Sequence, residues 1–122
     1  MIPPIFATLS VDATVAAIIG AGNNCRCYPY DFAPQSTVVP YVSWNTLNVE
    51  PLLKLTFGSF IDKLAARVEC WSNDAAQALV LAEAVRTSLE NVGYMVNDNP
   101  ADRDEETGLL KYSMTFEFFT AP

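Results

Sequence analysis

The hydrophobic pattern of this chain changes period at Ser72, which constrains the fold more than any other feature. From Asp62 to Trp71 apolar residues alternate with other residues, a pattern typical of a half-buried strand. The apolar face of that strand consists of Leu64, Ala66, Val68 and Cys70. After Ser72 apolar residues recur every three or four positions up to Gly93, as on one side of a helix. These helix positions are Ala75, Ala78, Leu79, Ala82, Val85 and Leu89. A strand therefore runs directly into an amphipathic helix, and both can face one core.

The segments before this junction predict two short helices and two strands, in addition to the strand that ends at Trp71. Ile2–Ile19 is helical in pattern, with a break near Leu9–Val11 where Ser10 or Asp12 can cap a second helix. Cys25–Tyr30 is a short strand, and its Pro29 favours an edge position because proline cannot donate to a sheet ladder. Tyr41–Val49 is rich in β-branched and aromatic residues and predicts another strand.

The segments after the junction predict the end of the helix and two more strands. We expect Ser72 or Asn73 to be the helix N-cap and Gly93 to end the helix. Tyr94–Val96 is a short strand and Asn97–Gly108 a polar loop. Leu109–Thr120 is the last strand, with a single apolar face made of Leu110, Tyr112, Met114, Phe116 and Phe118. The expected fold is α+β, in the order α-β-β-β-α-β-β, with both helical regions on one face of an antiparallel or mixed sheet.

Length and charge limit the classes of protein that fit. A chain of 122 residues predicts one domain over residues 1–122. It carries 14 acidic and 7 basic residues, a formal charge of −7. Nucleic acids and anionic membranes are bound mainly through Lys and Arg, so we expect the chain to bind neither. We also expect no secretory leader, because the first positive side chain is Arg26, and no membrane span.

Residues that carry chemistry are few. The chain has no histidine, which removes the commonest general base and metal ligand and makes Ser-His-Asp or Cys-His catalysis impossible within it. Cys25, Cys27 and Cys70 lack both the knuckle spacing and the fourth ligand of structural zinc. We interpret them as buried, reduced thiols of a protein assembled in the cytoplasm. The sequence therefore predicts no enzyme, no cofactor and no metal.

A dense apolar stretch around Gly58 is the first candidate functional surface. It has no clean periodicity, and patches of this size rarely stay in water. Its side chains either contact another subunit or partner, or fold back onto the core of the domain. The candidate interface residues are Leu52, Leu53, Leu55, Phe57, Phe60 and Ile61.

An acidic segment is the second candidate. An EF-hand beginning at Asp102 would need glycine at Thr107 and glutamate at Ser113, so calcium binding of that kind is excluded. The segment is either a solvated turn or, with other copies around a pore, a lumen surface that repels DNA. The candidate residues are Asp98, Asp102, Asp104, Glu105 and Glu106.

Four stretches, in this order, resemble the tail-completion, or tail-terminator, proteins of long-tailed bacteriophages and related gene transfer agents. They are PPIFATLSVDATVAAIIG, RCYPYDFAPQSTVVPYVSW, ARVECWSNDAAQALVLAEAVRTSLE and TGLLKYSMTFEFF, and together they span nearly the whole chain. The apolar stretch between Leu52 and Ile61 is the departure from the family pattern. The family has no catalytic residues to carry over.

The resemblance implies a structural protein of a virion tail. It implies a homo-oligomeric ring, commonly a hexamer, that caps the tail tube protein, ends tail elongation and contacts the head-tail connector or stopper protein. DNA would pass through the lumen without specific binding. Three alternatives stay open: a head-completion stopper from the neck of the same particles, a small-ligand or carboxylate-dependent enzyme domain, and an interaction module of cellular origin.

Overall fold

The computed structural model describes the backbone of residues 3–29, 39–54, 60–103 and 108–120. Side chains are described for the same residues except 50–54, 60, 61, 100–102 and 120. Within these ranges the chain forms three α-helices, one 3-10 turn at Gly22–Asn24 and five strands. The helices are α1 (Ile5–Leu9), α2 (Ala13–Ile19) and α3 (Ala75–Leu89). The strands are β1 (Cys27–Pro29), β2 (Tyr41–Lys54), β3 (Phe60–Ser72), β4 (Tyr94–Arg103) and β5 (Leu110–Thr120).

The five strands form one mixed sheet in the order β1-β2-β3-β5-β4. β1 pairs parallel to β2 over Val42–Trp44, and the other pairs are antiparallel. The α+β class, the element order and the mixed sheet are confirmed, and β1 with its Pro29 lies at an edge as expected. β2 and β3 extend well beyond the predicted ends, so most of the region between them is a long antiparallel hairpin.

One face of the sheet lies under the helices, and we call it the inner face. The alternation in β3 and β5 is confirmed, because the predicted apolar face of β3 is buried and so are Met114, Phe116 and Phe118 of β5, whereas Leu110 and Tyr112 are half-buried. The helices contribute Ile5, Leu9, Val15, Ile19 and Leu81 to the same core. Side chains that alternate with the inner ones form the outer face, which includes Arg67, Glu69 and Trp71.

The break between the two N-terminal helices is confirmed. α1 ends at Leu9, and Asp12 caps α2 by accepting hydrogen bonds from the backbone N–H groups of Thr14 and Val15 at 2.9 and 3.1 Å. These bonds satisfy two of the donors that a helix start leaves open. The N–H of Val15 is the main reason why the pKa of the Asp12 carboxyl lies below its ordinary value.

The predicted start and end of α3 are wrong by a few residues. The N-cap is Asp74, not Ser72 or Asn73, because Ser72 is still the last residue of β3. The Ser72 hydroxyl is buried, accepts from the Asp74 N–H at 3.1 Å and donates to Gln77 Oε1 at 2.7 Å. The helix ends at Leu89, whose carbonyl then accepts from the Gly93 N–H at 2.9 Å.

The buried stripe of α3 also differs from the predicted one. Leu79 is 54% exposed and Ala75 is exposed, whereas Leu81, which the periodicity left out, is fully buried. Leu79, Val80 and Leu81 are consecutive apolar residues, so the sequence offered three possible stripes. The helix buries the stripe that includes Ala78, Leu81 and Val85, which lie on one face, and the way α3 lies on the sheet decides between the stripes.

The predicted loop Asn97–Gly108 is wrong over its first part, because β4 continues to Arg103 and pairs with β5. The polar side chains of Asn97, Asp98 and Asn99 are exposed. An edge strand needs backbone partners on one side only, so polar side chains do not prevent it from forming. In the described part of the chain, no helix is long and apolar enough to cross a bilayer.

Candidate assembly surfaces

Four of the six apolar candidate residues lie at the far end of the β2–β3 hairpin. Leu52 and Leu53 belong to β2, and Phe60 and Ile61 begin β3, where Lys54 pairs with Phe60. Leu55 and Phe57 lie outside the described residues. The structure therefore brings the two backbone segments of the candidate interface together in one hairpin. Which contacts their side chains make stays a prediction.

The outer edge of β2 is the first surface that the sequence did not identify. β1 pairs with β2 only over Val42–Trp44, and in the described ranges no other strand pairs with that edge. A bulge interrupts the β2–β3 ladder between Thr46 and Asn48, and the bulged residue, Leu47, is 43% exposed. Val49 is also exposed. This edge therefore offers unpaired backbone groups beside apolar side chains, the arrangement that favours pairing with another chain.

The outer edge of β4 is the second such surface. Within the described residues β4 pairs with β5 on one side only, and it carries a bulge between Met95 and Asn97. The bulged residue, Val96, is 53% exposed and Tyr94 is 66% exposed. The Tyr94 ring packs edge-on against Phe119 with 5.9 Å between ring centres, which holds it on the outer face.

The two bulges lie at the same height in the sheet. Thr46 pairs with Ala66, Ala66 with Phe116 and Phe116 with Met95, which forms one row across four strands. Leu47 and Val96 each lie next to this row, at opposite edges. Both edge strands are thus bent at the same level, since a bulge bends and twists its strand locally.

The acidic candidate residues do not form one loop. Asp98 and Asp102 lie in β4, whereas Asp104, Glu105 and Glu106 lie outside the described residues. Asp98 pairs with Met114 and faces α3. A hydrogen bond to the Asp98 carboxylate is the main cause that raises the pKa of Tyr112 to about 12. Asp98 therefore has a partner within the chain, and a role in a lumen stays a prediction for the whole set.

The outer face carries an aromatic group near the start of β2. Tyr41 and Trp71 stack with 5.9 Å between ring centres, and Tyr28 packs edge-on against Tyr41 at 6.1 Å. The Trp71 indole N–H donates to Ser43 Oγ at 2.9 Å, and Lys111 Nζ lies 5.6 Å from the Trp71 ring centre. These contacts order the uncovered face near β1.

A wide cleft of about 640 Å³ lies between α2 and α3. Its polar lining includes Asp12, Glu83, Arg86 and Glu90. Arg86 Nε donates to Glu90 Oε1 at 2.6 Å, and Asp12 caps α2, so three of these four charged residues already have partners in the chain.

The three cysteines behave as small apolar side chains. All are buried and unpaired with one another, as expected. Burial raises the pKa of Cys27 to about 12 and also raises those of Cys25 and Cys70. A thiol with a raised pKa is a poor nucleophile and a poor metal ligand at neutral pH. Over the described residues, no group of three or more potential ligands can hold a metal ion.

The sequence held no clear signal for the two edges, because the bulges at Leu47 and Val96 are defined by the strand register. The second edge was missed because Asn97–Arg103 was interpreted as a loop, and only pairing with β5 shows that it is a strand.

Comparison with known proteins agrees with this architecture. The family model described as "Tail completion protein gp17" matches residues 3–121. No curated protein matches the chain. A chain in the structure titled "Virion of native gene transfer agent (GTA) particle" has the same fold, with a TM-score of 0.70 and 19% identity over 97% of this chain and 92% of that chain. The protein belongs to the tail completion family, structural virion proteins of phage and phage-like tails that are not enzymes.

Proposed function

We propose that copies of this chain form a ring that caps the tail tube, ends its elongation and joins the tail to the head connector. The observation that carries the proposal is the family match, which extends over residues 3–121 and so includes every described helix and strand. Six copies is the number that the family resemblance favours. The ring would surround a lumen through which DNA leaves the particle.

The distribution of charge supports a lumen that does not retain DNA. The chain carries seven basic residues, and five of them already bond within the chain. Lys63, Arg86 and Lys111 pair with carboxylates, whereas Arg26 and Arg103 donate to backbone carbonyls. Affinity for DNA depends on basic groups that are free to neutralise phosphates. A net charge of −7 per copy then makes passage without capture the expected behaviour.

Tube capping tests the proposal directly. The tube protein of the same particle is polymerised with and without this chain, and tube lengths and ends are examined by negative-stain electron microscopy. We expect shorter tubes with a ring at one end. Bare tubes of unchanged length, together with binding to the isolated connector, would instead indicate a head-completion stopper.

DNA binding is measured in the same preparation. Fluorescence anisotropy with a labelled duplex should show no binding at physiological salt, because few positive groups are available. Submicromolar binding would contradict a lumen that lets DNA pass. Turnover or tight binding of a small molecule would favour the enzyme or ligand-binding alternative.

A further inference from the structure

We propose that neighbouring copies join edge to edge, with β2 of one copy beside β4 of the next, so that one sheet continues around the ring. This inference rests on the proposed ring and names the surfaces that close it. The occupant of each exposed edge is a second copy of this chain.

Strand direction permits this pairing. β2 is antiparallel to β3, β3 to β5 and β5 to β4, so β2 and β4 run in opposite directions. A rotation axis that runs along the strands keeps these directions and places β4 of one copy antiparallel to β2 of the next. The contact is head-to-tail, the kind that closes into a ring when the rotation angle is right.

The bulges favour the same arrangement. Because Leu47 and Val96 flank the same row of the sheet, this rotation brings the two bent segments to the same height. The exposed apolar side chains of the two bulged residues, Leu47 and Val96, would then lie close together across the contact. Solitary edge strands are commonly protected by charged side chains, whereas these two present apolar ones at their bends.

Charge distinguishes a second copy placed head-to-tail from one placed symmetrically. The β2–β3 hairpin, residues 41–72, has three acidic and three basic residues. The β4–β5 hairpin, residues 94–120, has six acidic and two basic residues. A two-fold contact between two β4 edges would bring like charges together. Head-to-tail contact places the acidic hairpin beside the neutral one, which avoids that repulsion.

Disulfide trapping tests the contact. A chain with both Leu47→Cys and Val96→Cys is oxidised under mild copper catalysis and run on non-reducing gels. We expect a ladder of cross-linked species that ends at the ring, because each new thiol lies beside the partner thiol of the next copy. The native thiols are buried, so they do not contribute in the folded protein.

Three controls make the result decisive. Leu47→Cys alone and Val96→Cys alone should give no ladder, because head-to-tail contact never places a residue beside its own copy. Leu79→Cys with Val96→Cys should also give none, since Leu79 is equally exposed but lies on α3. Dimers from either single variant would overturn the proposal in favour of a two-fold contact.

Opposite charges provide a second measurement. Leu47→Lys and Val96→Lys should each lower the fraction of protein assembled in rings at least tenfold at fixed protein concentration. Light scattering measures this fraction. An equimolar mixture of these two variants should form a dimer of twice the 13.4 kDa chain mass, because one intact contact remains. A chain with Leu47→Glu and Val96→Lys should regain the ring, since every contact then pairs opposite charges.

The outcomes separate this inference from the proposed function. Capped tubes without a ladder would overturn the edge contact and leave the function intact. A ladder without tube capping would support the contact and contradict the function. Monomers in every assay would contradict both.

Discussion

The inner face of the sheet is packed under three helices, whereas no described helix covers the outer face. Phe116 and Phe119 lie three residues apart on β5 and show the difference, because Phe116 is fully buried and Phe119 is 46% exposed. Packing of the inner face stabilises the folded state because it removes apolar surface from water. The outer face is held by ring contacts and partly exposed ion pairs, which are individually weak. Stability should therefore depend on the inner face, and the outer face and edges remain available for assembly.

The largest expected effect comes from Phe116→Ala. Removing a fully buried ring should cost about 3–5 kcal/mol, because a cavity is left in the core. Phe119→Ala is the matched control and should cost about 1 kcal/mol, the scale of one aromatic pair. Urea unfolding of both variants measures the difference. Equal losses would show that the two faces contribute equally and would break the comparison.

Gly93→Ala should have the next largest effect. A Cβ atom at Gly93 would lie 2.6 Å from Phe118 Cδ1 and 2.8 Å from the Glu117 carbonyl oxygen. Relief of such overlap costs about 1–3 kcal/mol because the backbone or the buried ring must move. Val92→Ala, at an exposed neighbouring position, should change the midpoint of thermal unfolding far less. A neutral Gly93→Ala would show that the turn before β4 is not tightly packed.

Asp12→Ala tests the helix layer itself. Loss of the α2 cap should cost about 1 kcal/mol at neutral pH. The folded-state pKa of Asp12 is lowered, so its charge stabilises the fold above the ordinary Asp pKa. That contribution disappears as pH falls through the folded pKa. The difference between wild type and variant should shrink below about pH 4. Asp12→Asn keeps an acceptor without the charge, so at neutral pH it should lose less stability than Asp12→Ala, and a loss equal to that of Asp12→Ala would contradict the cap.

Lys111→Ala should have the smallest effect. Lys111 lies 3.6 Å from Glu69 and over the Trp71 ring, but its side chain is partly exposed. Such contacts are worth about 0.5 kcal/mol and weaken in salt. The change in unfolding free energy should be measurable in low salt and vanish in high salt. A loss above that of Gly93→Ala would show that the outer face carries stability after all.

The sequence predicted the inner face better than the edges. The β3 and β5 alternations identified Leu64 and Phe116 as core because burial requires apolar side chains at fixed spacing. At an edge, side chains are free to be polar and only backbone pairing defines the strand. Asp98 was therefore assigned to a loop although it pairs with Met114. Sequence spacing also could not choose between Leu79 and Leu81, since the choice depends on how α3 lies on the sheet.

The sequence alone also did not show where the side chains of the two candidate surfaces lie in the fold. The acidic run suggested one surface, but Asp98 contacts Tyr112 on the helix side of β4. The apolar run around Gly58 has no clean periodicity, and only the strand pairing shows that Leu52 and Phe60 lie in the β2–β3 hairpin. The edge residues Leu47 and Val96 became visible only once the strand register was known.

The buried Ser72 at the junction of β3 and α3 has a consequence for accuracy of folding. Because only two residues separate strand from helix, a shift of β3 along its neighbours by one position would carry α3 with it. That error would bring Glu69 under the helices and also pull Leu81 out of its packed site. A slip of β3 by one position is thus penalised twice, so the native register is favoured over it.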